Sequence, residues 1–241
     1  MPERIWIMGG SDGIGAALAR AYAARGAQVI VSARSEAPLR ALAQEIGATA
    51  LPCDVTDPDS LAAAAAHVAE GAALDRAITL AALYDPGKVM DVDPGKAAQI
   101  VTVNLTGSFN FARAAQPLLR AQGQLVLTGS VAGYFGLPQG QIYSATKAGV
   151  TNLAETLRAE LAGQIDTRLI SPGFVDTRMT RENAFDMPFI LQPQEAAAAI
   201  LKGLDGARFE IHFPKRLTLA LKLLRALPYW AALPLTKRLV Q

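Results

Sequence analysis
The sequence predicts an α/β fold in which a parallel sheet is covered by helices on both faces. Three observations predict it. Short apolar runs alternate with longer, alanine-rich helical segments from the first residues onward. The runs are apolar nearly throughout, as strands buried on both faces must be. No internal repeat or long linker breaks the alternation. Residues 1–214 therefore read as a single unit, followed by a basic, apolar tail at 215–241.

The first expected strand is Arg4–Met8, and Gly9-Gly10-Ser11-Asp12-Gly13-Ile14-Gly15 follows it directly. Glycines permit a tight turn and a close backbone approach, so a pyrophosphate can sit against the amides that open the next helix. That helix is expected over Ile14–Arg25. The spacing of Gly9, Gly13 and Gly15 is G-x-x-x-G-x-G, not G-x-G-x-x-G. A glycine-rich turn that holds no ligand is the alternative reading. Further strands are expected at Gln28–Ala33, Thr49–Pro52, Ala77–Ala81, Gln124–Thr128, Thr167–Ile170 and Phe209–Phe213. Between them fall helices at Pro38–Ile46, Pro58–Ala69, Pro94–Ala121, Gln141–Leu161 and Pro193–Leu201. Three of these open with Pro behind a polar residue, at Asp57-Pro58, Asp93-Pro94 and Gln192-Pro193, a pattern suited to the first helical turn. Right-handed crossovers and a glycine-rich first turn favour the Rossmann arrangement, a doubly wound parallel sheet.

Composition narrows the function. Hydrophobic residues make up 51% and charged ones 18% of the 241 residues, a globular balance. One cysteine, Cys53, excludes an internal disulfide and fits a reducing compartment. Two distant histidines, His67 and His212, give neither a metal site nor a His-based triad much to build on. The first apolar run is too short for a signal peptide, so the chain reads as cytoplasmic. Net charge is +2, but residues 211–241 hold six cations and no acid, which leaves −4 upstream. A slightly acidic body and a tail with few stacking aromatics argue against a nucleic-acid partner.

Chemistry concentrates in the second half. Tyr143 and Lys147 are four residues apart and project from one helix face. A phenol near pKa 10 is a poor acid–base catalyst at neutral pH, and a nearby ammonium is expected to lower that pKa. Small Ser144, Ala145 and Thr146 between them leave room for ligands. Taken alone, a Tyr-x-x-x-Lys pair is commonly a half-buried ring beside a solvated lysine. Ser130 closes the strand Gln124–Thr128 thirteen residues before Tyr143, where its hydroxyl can stabilise developing charge on a substrate oxygen. A capping serine is the plainer reading. Asn104 falls inside the long helix expected over Pro94–Ala121, where asparagine is disfavoured, and a satisfied core amide is its plainer reading. Pro172-Gly173-Phe174-Val175-Asp176-Thr177 follows the strand Thr167–Ile170.

In order and spacing, the glycine turn, Asn104, Ser130, Tyr143-x-x-x-Lys147 and Pro172-Gly173 resemble the short-chain dehydrogenase/reductases, over about residues 4–214. The resemblance implies a single Rossmann-type domain that binds NAD or NADP and moves hydride to or from a carbonyl or alcohol carbon. It implies that Asn104, Ser130, Tyr143 and Lys147 are the catalytic set, with Asn104 holding a water that relays protons to Lys147. It also implies that Lys147 bonds the nicotinamide ribose. The backbone near Val175 and the Thr177 hydroxyl would serve the carboxamide, and Asp54-Val55 would contact adenine. Asp54 could equally be a turn former. A homodimer or homotetramer is common among such proteins. A nucleotide-binding regulator without turnover is the rival reading; the intact four-residue set speaks against it. A Ser-hydrolase reading of Ser130 lacks both a nucleophile elbow and a histidine.

The choice of dinucleotide rests on the end of the second strand. Ala33 stands where an NAD-binding acid would be expected, and Arg34 follows, which favours the 2′-phosphate of NADP over NAD. Asp12 in the glycine turn argues the other way, and Arg34 could also simply stack on adenine. The chain also departs from the family after the fourth strand, where Thr79-Leu80-Ala81-Ala82 replaces Asn-Asn-Ala-Gly. Ala82 is expected to crowd the backbone near the ribose.

The segment Asp176–Leu191 carries Met179, Phe185, Met187, Pro188 and Phe189, with only Arg178 and Arg181 as cations. Tyr134, Phe135 and Leu137 are candidates for further apolar lining. A hydrophobic pocket for an apolar carbonyl or alcohol follows, with packing of a lid or subunit contact as the alternative. In the tail, Lys215, Thr218, Lys222 and Arg225 form one polar stripe of a helix otherwise rich in leucine. Such a helix can lie on an anionic membrane surface, making the protein membrane-associated, or can pack against another subunit. Charges and Pro228 and Pro234 exclude a membrane span.

Overall fold
The computed structural model describes residues 2–183 and 185–237. Seven parallel strands form one sheet in the order β3-β2-β1-β4-β5-β6-β7. They are β1 (Arg4–Met8), β2 (Gln28–Ala33), β3 (Thr49–Pro52), β4 (Leu74–Thr79), β5 (Leu119–Thr128), β6 (Asp166–Pro172) and β7 (Glu210–Phe213). The helices are α1 (Gly13–Ala24), α2 (Glu36–Ile46), α3 (Pro58–Ala69), α4 (Pro94–Val101), α5 (Gly107–Ala115), α6 (Gln141–Glu160), α7 (Pro193–Leu204), α8 (Lys215–Ala226) and α9 (Tyr229–Lys237). The doubly wound Rossmann-type architecture expected from the sequence is borne out.

Strand geometry sends successive side chains to opposite faces, and the two cores follow from it. Ile5 and Ile7 of β1 join Val29 and Val31 of β2 beneath α1, α2 and α7. Trp6 and Met8 join Ile30 on the other face, under α3, α5 and α6. Trp6 is fully buried against Phe111 (ring centroids 5.0 Å apart), and its indole N–H donates to Ser32 Oγ at 2.9 Å. The prolines do open helices: Asp57 and Asp93 accept N–H bonds from Asp59 and Lys96 at the first turns of α3 and α4.

The long helix expected over Pro94–Ala121 is not continuous. It breaks at a π turn over Thr102–Thr106, where the Gly107 N–H reaches back to the Thr102 carbonyl, and it ends at Ala115. The Thr102 and Ser108 hydroxyls bond carbonyls four residues back, at Ala98 and Asn104, which loosens the ladder on both sides of the turn. Pro117 then stops the helix, and β5 starts earlier than expected, at Leu119. The fourth strand is shifted towards its N-terminus relative to Ala77–Ala81. Leu80 still bonds the Met8 carbonyl, but the chain then leaves the sheet.

Beyond β7 three of the four residues of the stripe on α8 are engaged by the body of the protein, while Lys215 stays exposed. Thr218 is fully buried and hydrogen-bonded to His212 Nδ1 at 2.6 Å. Lys222 pairs with Glu210, and Arg225 donates to the Tyr134 carbonyl at 3.2 Å. Arg238 and the end of the tail to Gln241 lie outside the described residues. No helix among the described residues is long and apolar enough to cross a membrane.

Candidate active site
The strand order reverses direction between β1 and β4, and a crevice opens there at the carboxyl ends of the strands. The cleft holds about 360 Å³. Its floor begins with the glycine turn. Gly9 has φ +84°, and a Cβ on it would lie 2.5 Å from the Ala81 nitrogen. A Cβ on Gly15 would lie 2.1 Å from the Gly9 carbonyl oxygen. Both glycines are therefore required by the close approach of the chain's own backbone, and the turn they make lines the cleft at the opening of α1. Asp12 caps α1, taking the Gly13 N–H at 2.7 Å, and its other oxygen faces Arg178 at 3.5 Å.

The structure brings Gly9, Ser11, Asp12, Gly13, Ile14 and Gly15 into this cleft with Arg34, Asp54, Val55, Ser130, Tyr143, Lys147, Pro172, Gly173, Val175 and Thr177. Arg34 is exposed at the rim. Asp54 also makes a turn of its own, accepting from the Thr56 N–H and hydroxyl at 2.9 and 2.7 Å. Val175 is held by a bridge to Leu191, and its carbonyl accepts from Thr180, which also bonds the Thr177 N–H.

Asn104 lies behind the cleft wall. Its Oδ1 accepts the Leu83 N–H at 2.7 Å, while Nδ2 donates to the Leu83 carbonyl at 2.9 Å and to Thr146 Oγ1 at 3.1 Å. This places it in the π turn, not in the regular helix the sequence suggested. There its amide clasps the segment after β4 to α6. The departure at Thr79-Leu80-Ala81-Ala82 is answered partly by packing, since Leu80 lies against the core where the family pattern has an amide. Ala82 lines the cleft.

Lys147 is buried and its Nζ donates to the Thr128 carbonyl at 2.8 Å. It lies 5.6 Å from the centre of the Tyr143 ring. Burial pushes the Lys147 ammonium down to about 8. Burial also pushes the Tyr143 phenol up, to about 12; a hydrogen bond from Ser130 pulls against this and neighbouring Tyr84 adds to it. That direction is opposite to the lowering expected from the lysine. Loss of hydration outweighs an ammonium that is bonded to a carbonyl beside the ring. Tyr143 as a residue is half-buried and lines the cleft. Ser130 accepts the Ala132 N–H at 3.1 Å, so it caps a short turn and lines the cleft at once.

Sequence reasoning missed Tyr84. Its ring meets Tyr143 edge-on at 4.9 Å, and its hydroxyl donates to Asn183 Oδ1 at 2.6 Å. The signal was available: an aromatic residue just past a strand's carboxyl end, where open α/β sheets bind ligands. Conversely, Tyr134 and Phe135 are not pocket lining. Tyr134 is buried and hydrogen-bonds Glu210, and Phe135 packs near Tyr229 of α9. Of the residues after β6, Met179 lines the cleft, while Phe185 packs edge-on against Phe174 and Phe189 is half exposed. The two cations there are engaged within the segment and the turn, Arg178 by Asp12 and Arg181 by Asp176 at 2.8 Å.

Comparison with known proteins gives a consistent result. A family profile described as short chain dehydrogenase matches residues 3–187. An uncharacterized oxidoreductase of Myxococcus xanthus is 32% identical over 231 residues, covering 92% of this chain and 91% of that protein. The 3-oxoacyl-[acyl-carrier-protein] reductase MabA of Mycobacterium tuberculosis is 32% identical over 181 residues, 73% of this chain and 71% of that one. A crystal structure of a short chain dehydrogenase from Burkholderia cenocepacia in complex with NADP superimposes with a TM-score of 0.85. Its identity is 27%, over 100% of this chain and 98% of that one.

Proposed function
The chain belongs to the short-chain dehydrogenase family and is an oxidoreductase of carbonyl and CH–OH groups; from that premise we propose that it uses NADPH to reduce an apolar carbonyl, with Tyr143 as the general acid. One observation carries the reading. Tyr143, Ser130 and the buried Lys147 line one cleft together with the glycine turn.

The cleft suits a dinucleotide by space and by charge. Gly9 packed on Ala81 and Gly15 packed on Gly9 draw the turn tight, and the backbone opening α1 lines the cleft where a pyrophosphate would sit. Arg34 would hold the 2′-phosphate, and the guanidinium of Arg178 beside Asp12 partly offsets the repulsion a carboxylate there would exert. Asp54 and Val55 would border the adenine, Lys147 the ribose, and Pro172, Gly173, Val175 and Thr177 the nicotinamide. The bound cofactor supplies the hydride. Tyr143 donates a proton to the carbonyl oxygen, Ser130 donates a hydrogen bond to the same oxygen, and Lys147 stabilises the phenolate that remains. Asn104 acts by position, holding Leu83 and with it the wall that carries Tyr84. An apolar substrate fits Met179 in the cleft and a neighbouring segment whose cations are already paired. The named substrate of MabA, an acyl chain bearing a ketone, is of the same class.

The test is a panel of aldehydes and ketones of increasing chain length, followed by NADPH absorbance. Tyr143→Phe should lower kcat by about a hundredfold or more while NADPH still binds. Turnover that survives the substitution refutes the role of Tyr143. NADPH binding without turnover of any carbonyl by the unaltered protein would support a regulator instead. Arg34→Leu should raise KM for NADPH about tenfold and leave NADH nearly unchanged. Equal effects on both would overturn the NADP assignment.

A further inference from the structure
The tail helices carry an inverted pattern that the catalytic reading leaves unexplained. Three polar residues of α8, Thr218, Lys222 and Arg225, are used inward, at His212, Glu210 and the Tyr134 carbonyl, while Lys215 and Arg216 stay exposed. Its outward face therefore sets Leu219 (58% exposed) and Leu223 (67%) beside those two cations. In α9, Tyr229 (73%), Trp230 (80%), Leu233 (54%) and Leu235 (46%) are exposed as well. Leucines and aromatics concentrated in this way on consecutive helices mark an interaction surface. The helix bearing them is firmly seated: a Cβ on Gly173 would lie 3.0 Å from Leu217 Cδ2, so α8 abuts the segment that lines the cleft.

Charge selects the occupant. From Ile211 to Gln241 there is no Asp or Glu, and the last acid before them, Glu210, is already paired with Lys222. Lys215, Arg216 and Lys237 are exposed and have no carboxylate in their own stretch of chain. Two copies of such a face would bring like charges together. An anionic lipid surface satisfies both halves of the pattern. Leucines can enter the boundary of the acyl chains, tyrosine and tryptophan settle at headgroup depth, and lysine and arginine meet the phosphates. We propose that α8 and α9 form a peripheral docking face for anionic membrane, holding the mouth of the cleft near the lipid surface. Any self-association would then use other surfaces of the molecule.

The protein carries its own reporter. Of its two tryptophans, Trp6 is fully buried and Trp230 is exposed. Flotation of the full chain is measured on phosphatidylcholine vesicles with and without phosphatidylglycerol, together with tryptophan emission. The protein is expected to float with the anionic vesicles, and its emission should move to shorter wavelength as Trp230 leaves water. Added salt should weaken both effects. Arg216→Gln should lower partitioning about fivefold. Leu223→Glu, at a solvent-facing position, should abolish it. Far-UV circular dichroism checks the fold of each variant, and if Leu223→Glu fails it Arg216→Gln decides. No flotation at low salt, or binding indifferent to folded variants, overturns the proposal. So does a sedimenting dimer that Leu223→Glu dissociates in the absence of lipid binding. Neither readout requires turnover, so the result stands apart from the catalytic assignment.

Discussion

Lys147 and Tyr143 show how burial, more than proximity, sets a titration. The ammonium loses water without gaining a carboxylate, and its pKa falls to about 8. Below that pH it is cationic and can stabilise a phenolate; above it the charge is lost. The phenol, pushed up to about 12, stays protonated through the neutral range, which suits a proton donor in reduction better than a base in oxidation. The expected outcome is a kcat/KM for reduction that is level below about pH 8 and declines above it. In Lys147→Met the alkaline decline should vanish and the rate should be low throughout. A wild-type profile that is flat to pH 10 would remove Lys147 from the proton-transfer set. At this scale the sequence showed which side chains stand four apart, but not the sign of the shift. The sign depends on how much water the fold takes away.

At the scale of elements, the break between α4 and α5 matters most. The sequence carried one sign of it, Asn104, a residue disfavoured inside the long helix expected over Pro94–Ala121. It did not foretell a π turn that drives Asn104 inward to take both backbone groups of Leu83. Such turns recur at functional sites because they re-aim one side chain without ending the helix. Asn104→Ala would leave the Leu83 N–H and carbonyl without these partners and should cost about 2 kcal/mol of stability, measured by urea unfolding. Because the same wall carries Tyr84, the variant should also raise KM for the carbonyl. If stability and KM are both unchanged, Asn104 is not the clasp. Strand ends moved for related reasons. β4 ends early because the chain past Leu80 must turn to meet Asn104, and β5 begins at Leu119 because Pro117 forbids further helix.

For the whole molecule, alternation of apolar runs with amphipathic helices determined the architecture. β1, β2 and β3 fall where the sequence places them, since each is a short apolar run bounded by turn residues that admit no competing structure. The glycine turn and the Tyr143–Lys147, Ser130 and Pro172-Gly173 motifs were also legible, because they lie at strand ends and one helix opening. In a parallel sheet all strand ends of one sense share an edge, so motifs far apart in the chain reach one cleft. Contacts between residues distant in sequence were not legible. Tyr84 meets Tyr143 and Asn183 only when three segments converge. Tyr134 leaves the pocket for Glu210 because β7 is placed beside it. The tail is the clearest instance. Its helical periodicity was plain in the sequence, with polar and apolar residues on different faces. A helix's periodicity, however, says nothing about which face the rest of the protein will take. Glu210, His212 and the Tyr134 carbonyl offered hydrogen bonds and an ion pair to the polar face, and Leu219 and Leu223 were left outside. Sequence by itself determined the layers, the cleft motifs and the family; tertiary structure alone decided the buried partners and the outward face of the tail, because both depend on what the fold brings alongside.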